Sequence, residues 1–220
     1  MSEADAHVFS AQLTVCVDFK NPHAYLAKDL VYALEDKLEV QADWLPFLMP
    51  ALKRPTQPQA EDDRGTRHRQ HRARYVEQDI QRYARVRGLV VKDIYRPVDS
   101  TVAATALLWV RGEKISVRRK VIDGLFAGHW GGGADIAEVS AVTAILEESG
   151  VNIEGWELYR AGEAQVALPR MLAGLSAAGI FNVPALVVGE GQLAQETFYG
   201  RAHLPMVRWL LEGRNGPAPI

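Results

Sequence analysis

The strongest constraint on the fold is a β-α-β segment at the start of the chain that carries its own helix-start signal. Leu13-Thr14-Val15-Cys16-Val17-Asp18-Phe19 is β-branched and apolar and reads as a first strand. It ends at Lys20-Asn21-Pro22, where Asn21 suits a helix N-cap and Pro22 the first helical position. Tyr25, Leu26, Leu30, Ala33 and Leu34 then recur at helical spacing, with Lys28, Asp29, Glu35 and Asp36 on the other face. Leu38 to Trp44 reads as a second strand. The intervening crossover helix makes the two strands parallel, in a right-handed unit.

After Pro46 the character changes. Pro50, Pro55 and Pro58 mark a loop, Glu61-Asp62-Asp63 is acidic, and Arg64, Arg67, Arg69, Arg72 and Arg74 with His68 and His71 form a basic run. A helix emerges from that run, with Val76, Ile80, Tyr83 and Ala84 on one face, and stops near Gly88. Further helices are expected over Ser100–Trp109 and Lys114–Trp130, the latter ended by Gly131-Gly132-Gly133. Asp135 with Glu138 reads as a capping box opening a helix to Ser149. Gly155 to Ala178 reads as one helix kinked near Pro169. Ala185–Val188, a turn at Gly189-Glu190-Gly191, and Gln192–Tyr199 read as a hairpin, followed by a terminal helix over Arg201–Leu211.

The order β-α-β, helices, β-β-α is that of an α/β thioredoxin-like fold with a large all-helical insertion. Residues 1–54 and 151–220 would form the discontinuous thioredoxin-like domain, and residues 55–150 the helical insertion.

Composition narrows the chemistry. The 220 residues include one cysteine, Cys16, which excludes an internal disulfide and any Cys-x-x-Cys redox or zinc motif. No metal site is expected. Met1-Ser2-Glu3-Ala4-Asp5 lacks the features of a secretory leader, so a cytoplasmic location is expected. Met171 to Gly189 is uncharged, but Gly174, Gly179, Asn182 and Pro184 break it into a helix end and a buried strand, so no membrane span is expected. The formal net charge of −2 argues against nucleic-acid binding.

Four stretches then agree with one family. Asp18-Phe19-Lys20-Asn21-Pro22-His23-Ala24-Tyr25-Leu26-Ala27, Trp44-Leu45-Pro46-Phe47-Leu48, Arg74 to Ala84 and Gly179 to Val188 occur in the order of matching segments in 2-hydroxychromene-2-carboxylate isomerases and kappa-class glutathione transferases. The chain resembles that family, within the wider DsbA-like superfamily. The resemblance implies a homodimer with a glutathione site at the N-terminus of the first helix, where the helix dipole and free N–H groups stabilise a thiolate. It implies that Asn21 occupies the position of the thiolate-binding serine, that Pro184 is the cis-proline, and that the Val183 backbone pairs with the cysteinyl part of glutathione. Arg72 matches a family lysine, and Arg201 lies in the glutathione-binding motif that opens the terminal helix. The implied substrate is a small aromatic or unsaturated carboxylate.

Several positions keep two readings. Asn21 is a thiolate donor or simply a cap. His23 stands where the family has tyrosine, and Asn21-Pro22-His23-Ala24 also reads as Cys-Pro-His-Cys stripped of both thiols. His23 is therefore a general acid or base, its neutral form favoured by the helix end, or a solvent-facing residue. The basic run either meets an acidic substrate or is a solvated helix start. Ala202 replaces the aspartate that would hold the γ-glutamyl ammonium. Two function classes follow: a glutathione-dependent isomerase or transferase, and a non-catalytic thioredoxin-like binding protein.

Overall fold

A computed structural model describes residues 9–189 and 195–219. Its sheet has the strand order β2-β1-β3-β4, with β1 spanning Leu13–Val17, β2 Asp43–Pro46, β3 Ala185–Val188 and β4 Glu196–Tyr199. β1 and β2 are parallel across helix α1 (Pro22–Leu38), while β3 runs antiparallel to β1 and to β4. Between the two halves lie α2 (Arg64–Val86), α3 (Thr101–Trp109), α4 (Ile115–Gly131) and α5 (Val139–Glu148). Helices α6 (Trp156–Ala161) and α7 (Ala164–Ala177) lead into β3, and α8 (Leu204–Leu211) closes the fold. This is a thioredoxin-like architecture.

The period-2 alternation of β1 sorts its side chains between two cores. Leu13, Val15 and Val17 join α1, the inner face of α2 at Ile80 and Ala84, and Leu107, Phe126 and Val142 of the later helices. Cys16 turns the other way, against Leu45, Ala185 and Leu175. The larger core runs without a break from the sheet through α2–α5, so the helices between the halves help bury the strand that starts the chain.

Several boundaries differ from the sequence expectation. β2 begins at Asp43 rather than Leu38, because α1 runs on to Leu38 and closes at Glu39 in the left-handed conformation (φ 53°). The Glu35 carboxylate then accepts from the Ala42 N–H at 2.8 Å and sets the turn into the strand. The expected helix over Gly155–Ala178 is two, split where Gly162 leaves helical geometry, and Pro169 lies inside α7 without ending it. Asp135 and Glu138 form a turn, with the Glu138 N–H on the Asp135 carbonyl at 2.9 Å, and α5 begins at Val139 without a side-chain cap. The terminal segment opens as a 3-10 turn, Arg201–His203, before α8. The expected turn at Gly189-Glu190-Gly191 and the strand start at Gln192 fall largely on residues 190–194, outside the described residues, as do Met1–Asp5.

The β1–α1 junction is held by a buried carboxylate. Asp18, 1% exposed, accepts from the Ser100 hydroxyl at 2.7 Å, the Met49 N–H at 2.7 Å and the Lys20 N–H at 3.2 Å. It therefore ties the loop before α1 to the segment after β2 and to the start of α3. Asp18→Ala removes these charge-assisted acceptors and strands buried donors, so it should lower unfolding stability by about 3 kcal/mol, with Ser100→Ala costing about half as much. Urea denaturation checks this; a loss below about 1 kcal/mol for Asp18→Ala would contradict it.

Candidate functional site

Asn21 caps α1. Its Oδ1 accepts from the N–H of His23 at 2.9 Å and of Ala24 at 3.2 Å, and its own carbonyl accepts from the Tyr25 N–H at 3.2 Å. Pro22 has no N–H. The first-turn donors are thus already engaged, which corrects the expectation of free N–H groups there. The amide NH2 of the largely buried Asn21 is a further donor at the positive end of the helix dipole.

His23 is the next side chain, and it does not point into open solvent. Burial first, and then the Arg201 guanidinium, hold its pKa below the ordinary 6.5, while Asp79 opposes them. The ring is therefore neutral at pH 7, as expected, but burial contributes more than any neighbouring charge. Asp79 accepts from the exposed Arg82 at 2.8 Å through one oxygen and pairs through the other with Arg201 at 3.2 Å, and Arg201 lies over the Tyr83 ring at 3.9 Å. The pair is mostly shielded, with side-chain exposures of 16% and 21%. Three elements meet here: the first turn of α1, the middle of α2, and the 3-10 turn after β4.

The third wall is the loop before β3. The Val183–Pro184 peptide is cis. The Pro184 carbonyl accepts from the Gly200 N–H at 2.9 Å, which ties this loop to the residue preceding Arg201. Gly200 has φ 89°, a conformation that disfavours any side chain there. The Val183 N–H donates to Asn182 Oδ1 at 2.8 Å, so an added ligand strand would pair with the Val183 carbonyl unless Asn182 swings away.

Arg72 is not in this cluster. It is exposed on α2, two turns before Asp79 and on the same face, about 10.5 Å away along the axis. Asp79 and Tyr83 were missed as site residues. A signal existed: Asp79 interrupts the apolar stripe of Val76, Ile80 and Tyr83, and an acid on an inward helix face needs a partner. Cys16 is excluded from thiol chemistry, since burial and then Asp43 push its pKa to about 12. Among the described residues no cluster of three or more His, Cys, Asp or Glu could hold a metal ion.

A second histidine is buried on α4, beside Trp130, whose ring stacks on Tyr25 of α1. His129 on α4 is 3% exposed, lies edge-on to Trp130 at 4.6 Å, and its pKa is lowered to about 4 by burial, Arg96 and Lys20 against Asp135. The folded state thus disfavours the protonated ring, while the unfolded chain takes up its proton near 6.5. The stability tied to His129 is complete above that pH and is lost as pH falls from 6.5 toward 4. By pH 5 the loss is roughly 2 kcal/mol. His129→Gln should therefore lose about that much less stability than the parent chain between pH 7.5 and 5 in urea unfolding; equal losses would contradict the assignment.

The sequence matches the DSBA-like thioredoxin domain over residues 12–212. No curated protein matches it. Among solved structures, a 2-hydroxychromene-2-carboxylate isomerase superposes with a TM-score of 0.63 at 16% identity, covering 92% of this chain and 93% of that one. A putative protein disulfide isomerase from Nitrosomonas europaea gives 0.68 at 12%, covering 94% and 100%. The cytosolic disulfide reductase DsbM from Pseudomonas aeruginosa, also solved with GSH, gives 0.62 at 15% in the first form, covering 92% and 97%, and 0.61 at 15% with GSH, covering 92% and 98%. At these identities the structures share the fold, and the matched domain spans nearly all of the sequence: the chain belongs to the DSBA-like thioredoxin family.

Proposed function

We propose that this chain is a glutathione-dependent isomerase or transferase for small unsaturated carboxylates, working at the N-terminus of α1. The observation that carries the proposal is the Arg201–Asp79 pair beside His23. Asp79 is shared between Arg201 at 3.2 Å and exposed Arg82 at 2.8 Å, so the cluster presents both signs of charge to one zwitterion. The α-amino acid end of a γ-glutamyl group is such a zwitterion, with its carboxylate toward Arg201 and its ammonium toward Asp79. Asp79 thus supplies the acid that Ala202 lacks.

The remaining contacts follow the length of a tripeptide. The Val183 carbonyl would accept from the cysteinyl N–H. Arg72, two turns along α2, would meet the terminal carboxylate. When bound, glutathione supplies the thiolate nucleophile, whose reversible addition to a conjugated double bond allows rotation about it. The Asn21 amide donates to that sulfur, and the α1 dipole favours its negative charge. Neutral His23 takes the thiol proton and returns it when the thiol leaves. A homodimer in the cytoplasm belongs to the same proposal. The comparison that supports it is the DsbM structure with GSH, since that fold neighbour accommodates this thiol.

A second reading, a binding protein without turnover, is favoured by one observation: Asn21 Oδ1 engages the first-turn N–H groups that a thiolate would otherwise use. Isothermal titration separates the two. Glutathione should bind saturably, and Asp79→Asn should weaken it about tenfold by removing a charge-assisted contact. Cysteinylglycine, which lacks the γ-glutamyl group, should bind the two proteins equally. No heat with millimolar glutathione would refute the glutathione site, and binding without isomerase or transferase turnover would select the second reading.

A further inference from the structure

The basic run that opens α2 is left unused by that chemistry, Arg72 apart. Helix α2 carries seven arginines against two acids, Glu77 and Asp79, whereas the whole chain has a formal net charge of −2. The net charge thus averages over one strongly cationic helix. Ile80 and Ala84 are buried against the core, and the residues on the opposite side of α2 are exposed. There Arg64, Arg67, His71, Arg74, Gln78, Arg82 and Arg85 succeed one another every three or four residues, so they form a single stripe. The stripe is about 32 Å long, every member is exposed, and none is an acid.

The fold itself does not employ these cations. Arg82 pairs with Asp79, but Arg64, Arg67, Arg74 and Arg85 form no ion pair among the described residues. Arg64 and Arg67 stand in the first turn, where the helix dipole opposes positive charge, and beyond the Asp63 cap that turn contains no acid. A groove of about 510 Å³ runs beside Arg74, Arg82 and Arg85, with Gln78 and Gln81 as further donors and Glu77 as its one acid. Tyr75, 62% exposed, follows Arg74 directly and presents its ring at the middle of the stripe.

We infer that the outward face of α2 binds single-stranded nucleic acid, with successive backbone phosphates along the arginine stripe and a base stacked on Tyr75. Charge complementarity calls for an extended polyanion, since the cations repeat along one line. Three features select phosphate over an acidic protein. Every cation of α2 outside its histidines is arginine, whose planar fork meets phosphate oxygens bidentately, and none is lysine. The stripe holds no apolar side chain to form the dry centre of a protein interface. The exposed Tyr75 ring offers a stacking surface, the second component of single-strand binding. The inference is independent of the proposed function, because neither glutathione nor its electrophile enters it.

The test titrates the full chain into a fluorescein-labelled oligouridylate of about 12 nucleotides and follows anisotropy as salt is raised from about 50 mM. Saturable binding is expected, with log K falling against log salt at a slope near about −3. The triple variant Arg67→Gln, Arg74→Gln, Arg85→Gln should bind at least about tenfold more weakly and flatten that slope by about 2, while Arg170→Gln, exposed on α7, changes neither. Tyr75→Ala should weaken binding about fivefold and leave the slope unchanged. Four outcomes overturn the inference: no binding at the lowest salt, a triple variant that binds like the parent, equal binding by Tyr75→Ala, or displacement of the oligonucleotide by polyglutamate of equal charge, which would assign the face to an acidic protein. Tighter binding of a duplex of the same length would also overturn it. The polyglutamate and duplex arms use the parent chain, so they decide the matter even if a variant fails to fold.

Discussion

The carboxylate of Asp18 is the interaction on which the site depends. It is buried, and it gathers donors from three separate parts of the chain: the loop into α1, the segment after β2, and Ser100 at the start of α3. A buried charge is tolerable only when hydrogen bonds replace its lost hydration. Here those bonds also fix where α1 begins. Asn21 follows three residues later, with its N–H on the Asp18 carbonyl at 2.9 Å. The direction of α1, and the position of everything at its positive end, follow from one satisfied anion.

Around that fixed point the fold places charge in an orderly way. The Arg201–Asp79 pair is shared between α2 and the turn after β4, so it also joins the helical block to the second half of the sheet. On the far side of α1, buried Lys28 pairs with Asp29 and, at 2.7 Å, with Asp123 of α4, while Arg119 of α4 meets Glu35 at 3.1 Å. Such pairs do not by themselves imply large stability, because desolvation offsets much of the attraction. They do fix the orientation of α4 against α1, so that Phe126 and Trp130 come to stack on Tyr25.

Much of this was legible in the sequence, for identifiable reasons. The β-α-β start, the Asn21 cap and the strand over Ala185–Val188 depend on local propensity and period, and sequence reports these directly. The division of Gly155–Ala178 into two helices was not legible, because Gly162 departs from helical geometry while the more conspicuous Pro169 is absorbed within α7. Nor was the start of β2, which is set by Glu35 reaching seven residues on to Ala42. Asn21, His23 and Arg201 were named through the family resemblance of their motifs, and the fold brings them to the α1 N-terminus. Asp79 and Tyr83 were missed because their contacts with Arg201 join elements distant in sequence. Arg72 was found by alignment, yet it stands two turns from the cluster.

The central claim is that the α1 N-terminus holds a thiolate supplied by a ligand. The most direct measurement is the ionisation of bound glutathione, followed by its thiolate absorbance near 240 nm as pH is raised. Free thiols of this kind ionise near pH 8.5. Bound to this protein, glutathione should ionise at least about one pH unit lower, and Asn21→Ala should return it toward the free value. An ionisation of bound glutathione indistinguishable from that of the free thiol would contradict the claim.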